Sequence, residues 1–284
     1  MRTSAILPAL AISLLLQACQ PSQANSPATA DSLVQETILV DSPPPSPVAD
    51  SASTPADAAI AIVPLATLIG KIDPAKDTAF VKIGSQYTTK PDIYLRKAAY
   101  TAFQAMHTAA LKDGVKLEII SATRNFASQK GIWERKWDGG TLVGGKNLAQ
   151  TEPDPAARAL KILSYSSMPT TSRHHWGTDI DLNNLENSYF ASGTGKKIYD
   201  WLVAHAAEYG FCQTYTAIGP ERPHGYQEEK WHWSYMPIAA PFLKAFKAQV
   251  QYSDINGFKG AEVAEQLQII DHFVGGIAPA CREW

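Results

Sequence analysis

The run Asp41-Ser42-Pro43-Pro44-Pro45-Ser46-Pro47 divides this chain. Consecutive prolines lack the amide donors that helices and sheets need, and they hold the backbone extended. The flanking residues, from Gln20 to about Pro55, are rich in Ser, Pro, Ala and Asp. Such a segment cannot bury enough apolar surface to form a core. Residues 19–59 are therefore expected to be a disordered, flexible tether. From Ile60 the composition turns globular, with no second break and no repeat. That leaves one domain over residues 60–284, within the usual size range.

The N-terminus follows a different logic. Met1-Arg2 gives a short positive start, and Ala5 to Leu16 is apolar apart from Pro8 and Ser13. Residues 1–18 match a secretory signal in length and flanks. The end of that segment, Leu16-Gln17-Ala18-Cys19, resembles the lipobox of bacterial lipoproteins, which implies acylation of Cys19. Gln20 after the cysteine resembles the outer-membrane sorting signal of Gram-negative lipoproteins. The expectation is an exported protein, lipid-anchored at the periplasmic face of the outer membrane. Membrane contact is expected through that anchor only, because no apolar run approaches the ~20 residues of a span. The formal net charge of −2 offers no basic face, so nucleic acid is not an expected partner.

Of the three cysteines, lipidation of Cys19 leaves Cys212 and Cys281. In an oxidising compartment such a pair is expected to bridge. The closed loop of about 70 residues would add roughly 4 kcal/mol in the chain-entropy model. Neither cysteine has a ligand-type neighbour at short spacing, so a metal role is not expected.

Within the domain, periodicity predicts helices over Asp92–Leu111, Asn125–Lys136, Asp154–Leu163, Lys196–Tyr209 and Ala239–Val250. Short β-type runs fall at Val115–Ile120, Asp179–Leu182 and Trp231–Met236. The elements mix without a βαβ rhythm. This favours an α+β fold, with a central antiparallel sheet flanked by helices.

Two segments carry chemistry: Ser172-Arg173-His174-His175-Trp176-Gly177-Thr178-Asp179-Ile180-Asp181 and Glu229-Lys230-Trp231-His232-Trp233. A catalytic zinc needs three protein ligands and an open fourth position, with a base nearby. His174, Asp181 and His232 can supply ligands and Glu229 the base. Spacing alone leaves His175 as an alternative to His174. It also leaves Asp179 as an alternative to Asp181, since both aspartates face one side of a strand. Gly177 is placed for the turn that must intervene.

Ser172-x-His174-x-x-Gly177-x-Asp179-x-Asp181, followed by Glu229-x-x-His232-Trp233, resembles the VanY-like zinc D,D-carboxypeptidases and dipeptidases of the vancomycin-resistance type. Their fold is that of the LAS metallopeptidases and the hedgehog N-terminal domain. The resemblance implies zinc ligands His174, Asp181 and His232, with Glu229 as general base. Asp179 departs from the family, which has a small residue there. Ser121-Ala122-Thr123-Arg124-Asn125-Phe126-Ala127-Ser128-Gln129 resembles the family's Ser-x-x-Arg-Ser-x-x-x-Gln segment. Its arginine engages substrate, so Arg124 is expected at the reacting end, with Ser121, Gln129 and Ser172 as further substrate-binding residues. The implied activity is hydrolysis of peptidoglycan stem peptides, first as a D-Ala-D-Ala carboxypeptidase. The alternatives are a cross-link endopeptidase, an L,D-carboxypeptidase, or a non-catalytic peptidoglycan-binding lipoprotein.

Other conspicuous residues are read as structural. Trp231, Trp233 and Tyr235 alternate with His232 and should pack the core. Trp133 and Trp137 are expected in the core or a groove wall. His107, His205 and His272 are expected as helical residues without chemistry, and His224 as a loop residue. Asp138-Gly139-Gly140 and Gly144-Gly145-Lys146 should form a loop near the cleft.

Overall fold

Alternation along two four-residue strands organises the domain, as seen in a computed structural model that describes residues 63–284. The signal segment, Cys19, the tether and the domain boundary near residue 60 lie outside the described residues. In chain order the elements are α1 (Leu65–Leu68), β1 (Phe80–Lys82), β2 (Tyr94–Arg96), α2 (Lys97–Lys112), β3 (Ile119–Ser121), α3 (Phe126–Trp137), α4 (Leu148–Thr151), α5 (Pro155–Ile162), β4 (Asp179–Leu182), α6 (Gly193–His205), β5 (Phe211–Gln213), β6 (His232–Tyr235), α7 (Met236–Gln249) and α8 (Pro279–Arg282).

The main sheet is antiparallel, in the order β3-β4-β6-β5, and β1 pairs with β2 apart from it. Along β4, Ile180 and Leu182 face a core built with the apolar stripes of α2 and α6, including Phe103, Met106, Ile198 and Leu202. Asp179 and Asp181 face the other way. β6 repeats the pattern, with Trp233 in the same core and His232 beside Asp181 in the register. Burying each such large apolar side chain stabilises the fold by roughly 1.5–3 kcal/mol. A second core under α3 and α7 holds Trp133, Trp137, Trp176, Met236 and Phe246. Cys212 on β5 is bonded to Cys281 on α8, which ties the C-terminal segment to the sheet.

Helix starts follow their caps. Asn125 accepts from the Ser128 amide at 2.9 Å and opens α3. Asp154 accepts from the Ala157 amide at 2.7 Å, ahead of Pro155, and opens α5. The α+β architecture is the expected one, but the helix expected from Asp92 begins only at Lys97. Asp92 sits at φ 53°, outside the helical region, and Tyr94–Arg96 pairs with Phe80–Lys82. A partner strand distant in sequence overrides the local helical stripe there. The run Val115–Ile120 contributes a strand only from Ile119, and Trp231 precedes β6 rather than lying in it.

Candidate metal centre

The strand pair β4–β6 brings the two motifs together. Asp181 pairs with His232 and Asp179 with Ser234, so both carboxylates and the imidazole share one face. β3 joins that face through an irregularity. Ile119 pairs with Leu182 on the core side, yet Ser121 pairs with Asp181. One extra residue in β3 therefore switches faces and aims the chain after it toward the site. His174 arrives from a 3₁₀ turn, Arg173–Trp176, that ends at Gly177 with φ 71°. A Cβ on Gly177 would stand 2.3 Å from the Phe80 ring, so the turn accepts only glycine.

His174, Asp181 and His232 converge, with one ligand atom from each lying within 4.8 Å of the others. All three are buried. His174 Nδ1 lies 2.7 Å from the carbonyl oxygen of Ala122, which makes it the protonated nitrogen. Its Nε2 is then a lone pair, 3.4 Å from Asp181 Oδ2 and without a hydrogen-bond partner. His232 Nδ1 lies 3.1 Å from Asp181 Oδ1. Donors on one tetrahedral zinc stand about 3.3 Å apart. The two imidazoles each approach Asp181 at that spacing, through different carboxylate oxygens, and the orphaned Nε2 together with two imidazoles and one carboxylate makes a zinc donor set. Burial and the nearby Arg124 charge hold the His174 imidazole below its ordinary range, so it is neutral and available as a ligand. Asp181 is penalised by burial, but His174 and His232 overcome that and hold it well below the usual carboxylate range.

Asp179 does something the family's small residue at this position cannot do. Its Oδ2 accepts from His232 Nε2 at 2.9 Å and from Arg173 Nε at 3.1 Å. Its Oδ1 accepts from Thr178 Oγ1 at 2.6 Å and Ser234 Oγ at 2.8 Å. Arg173 also donates from Nη2 to Ser234 Oγ at 2.8 Å. The bond to Nε2 fixes the His232 ring so that Nδ1 points at the site. Burial raises the His232 imidazole's cost of charging, yet bonds to Asp179 and Asp181 push it up to about 9 in the absence of a cation. Asp179→Asn is expected to weaken zinc binding roughly 10–100-fold. A chelator competition measures this, and an affinity equal to the parent's would show that Asp179 does not orient His232.

Glu229 stands next to these donors, with Oε2 3.5 Å from His232 Nδ1. Its amide donates to Tyr215 O at 2.9 Å and its carbonyl accepts from Gln213 Nε2 at 3.4 Å. Burial pushes its carboxyl up to about 8; His232 opposes this and Asp181 adds to it. Arg124 lines the same small pocket, with its buried Nε unpartnered. The Arg124 backbone is pinned to the motif, its amide donating to His174 O at 3.1 Å and its carbonyl lying 2.6 Å from His175 Nδ1. The pocket has a volume of about 30 Å³, enough to admit water.

The structure thus brings together His174, Asp181, His232, Glu229 and Arg124. Gln129 also lines the pocket and donates to Ser167 O at 2.8 Å, bracing the segment at residues 165–167. Ser121 and Ser172 do not line it, and Ser172 Oγ is buried without a partner. His175 lies outside the converging donors. Its ring packs where a Cβ on Gly70 would come within 2.4 Å, and burial lowers its imidazole to about 3. Tyr215 was not legible in the sequence. Its ring lies 4.7 Å from that of His232, and no short spacing links it to either motif. Of the residues read as structural, Trp133, Trp137, Trp231 and Trp233 are buried in the cores. His107 packs edge-on against Tyr87, His205 pairs with Glu208, and His272 stacks on His224.

The family model VanY, D-alanyl-D-alanine carboxypeptidase, matches residues 92–238, a span that encloses every residue of the pocket. An uncharacterized protein of Haemophilus influenzae is 33% identical over 78 residues, 26% of this chain and 53% of that relative. The chain thus spans about half the length of the curated relative it matches. Among solved structures, VanYB in complex with D-Alanine-D-Alanine is 22% identical with a TM-score of 0.43, over 61% of this chain and 84% of that one. A vancomycin-resistance D,D-pentapeptidase VanY mutant in complex with Zn(II) is 23% identical with a TM-score of 0.41, over 59% and 88%.

Proposed function

Since the chain belongs to the VanY family of D-alanyl-D-alanine carboxypeptidases, we propose that it removes the terminal D-alanine from peptidoglycan stem peptides by zinc-assisted hydrolysis. The observation that carries this reading is the buried convergence of His174, Asp181 and His232 with a non-ligand carboxylate, Glu229, beside it. Zinc, when bound, supplies positive charge that polarises a carbonyl and acidifies water. Glu229 Oε2 accepts the proton of the attacking water and returns it to the leaving amine. Arg124 binds the terminal carboxylate through two parallel hydrogen bonds, and its charge favours the developing oxyanion. Gln129 keeps the pocket wall in place for both.

Mass spectrometry of purified muropeptides after incubation tests the proposal. Loss of one alanine from pentapeptide stems supports it. Loss of alanine from tetrapeptides alone marks an L,D-carboxypeptidase, split cross-links mark an endopeptidase, and unchanged muropeptides mark a binder. Any of these three outcomes overturns the D,D-carboxypeptidase reading.

We propose further that the protein works from the periplasmic face of the outer membrane, anchored by a lipid on Cys19. The support is the segment Leu16-Gln17-Ala18-Cys19-Gln20. Among the described residues no helix is long and apolar enough to cross a membrane. Radiolabelled palmitate should enter the parent chain but not Cys19→Ser; equal labelling would refute the anchor.

A further inference from the structure

A groove of about 590 Å³ opens beside the catalytic pocket, and Tyr165 lines both. Its other walls include Lys136 from α3, Trp231, Leu142, and Glu186 from the segment between β4 and α6. The Tyr165 and Trp231 rings lie 6.4 Å apart and offer flat apolar surface. Lys136 Nζ is half-buried, and its hydrogen bond goes to a neutral group, Ser166 Oγ, at 2.5 Å. Ser166 itself lines the catalytic pocket, so this ammonium stands where pocket and groove meet. Lys161, the other cation in the groove, is already paired with Glu152. Among the described residues, neither Lys136 nor Glu186 takes part in an ion pair. The groove therefore presents one ammonium and one carboxylate on separate segments, neither held in a close ion pair.

A ligand that satisfies both needs a free carboxylate and a free ammonium at the end of a side chain, one residue or so from the scissile bond. We propose that the groove seats the stem-peptide residue preceding D-alanyl-D-alanine, and that it selects a diamino acid bearing its own carboxylate. Lys136 takes that carboxylate and Glu186 the ammonium. This rests on the stem-peptide reading above and makes it more specific. Diaminopimelate has both groups, whereas lysine at the same position has the ammonium alone.

The test uses the zinc-loaded full chain carrying Glu229→Ala, so that binding is read without turnover. Two pentapeptides, identical except for diaminopimelate or lysine at the third residue, are titrated by calorimetry. The diaminopimelate peptide should bind roughly five- to tenfold tighter. Adding Lys136→Met should bring the two affinities within about twofold of each other. Glu186→Gln should weaken both peptides alike, since both carry the ammonium. Lys136→Gln, which keeps a hydrogen bond to Ser166 within reach, provides the same comparison should the methionine disturb the fold. Equal binding of the two peptides by the Glu229→Ala chain overturns the proposal, as does a preference that survives loss of Lys136. Preferential binding without alanine release by the chain with Glu229 intact overturns the hydrolase reading alone.

Discussion

Glu229→Ala is expected to retain its zinc and to lose roughly 10²–10⁴-fold in turnover. The expectation rests on where the carboxylate stands. It is buried beside the donors, 3.5 Å from His232 Nδ1, but it is not one of the three groups that converge. Removing it deletes a proton acceptor and leaves the ligands intact. Its backbone is held at both ends, by Tyr215 O and by Gln213 Nε2, so the truncation should not let the segment collapse. Without a cation, burial pushes the carboxyl up to about 8, where it would be largely protonated at neutral pH. A divalent cation among the donors favours the ionised form, as a base requires. Single-turnover hydrolysis alongside metal analysis separates the outcomes. Parental turnover would remove Glu229 from the role of base, and loss of zinc would make it a ligand.

His174→Ala and His232→Ala are each expected to strip the metal, whereas His175→Ala should retain it. A site with three protein ligands left with two loses affinity well beyond the roughly 10–100-fold that outer partners contribute. His175 supplies none of the converging atoms, and its Nδ1 is engaged by the Arg124 carbonyl. Removing it should instead lower stability, because the ring fills the space against Gly70. Metal content by atomic absorption and thermal unfolding of the same three variants give both readings. Equal zinc loss at residues 174 and 175 would mean that the register of the motif is wrong.

Local pattern was sufficient where the cause is local. Asn125 and Asp154 open their helices because each side chain caps amides within three residues. β4 is visible because aspartate and aliphatic residues alternate over Asp179–Leu182. Where the cause lies elsewhere in the chain, the pattern misled. Tyr94–Arg96 carries a helical stripe but pairs with Phe80–Lys82, a strand too short to signal itself.

The candidate site divides the same way. The chemical types are legible from the residues alone: two imidazoles, two neighbouring carboxylates, a base and an arginine, in spacings that match a family. Spacing alone left open which histidine of the pair 174–175 and which aspartate of the pair 179–181 meets the metal, since neighbouring residues in a motif have equal claims on composition; the family resemblance pointed to His174 and Asp181. Which atoms converge is visible only in the folded chain. The Ala122 carbonyl fixes the His174 tautomer, and Asp179, held by Arg173, Thr178 and Ser234, turns the His232 ring. Likewise Tyr215 reaches the cleft from a segment that carries no motif. Hydrogen bonds and contacts act over a few ångströms in space, whatever the distance along the chain, and no local spacing encodes them.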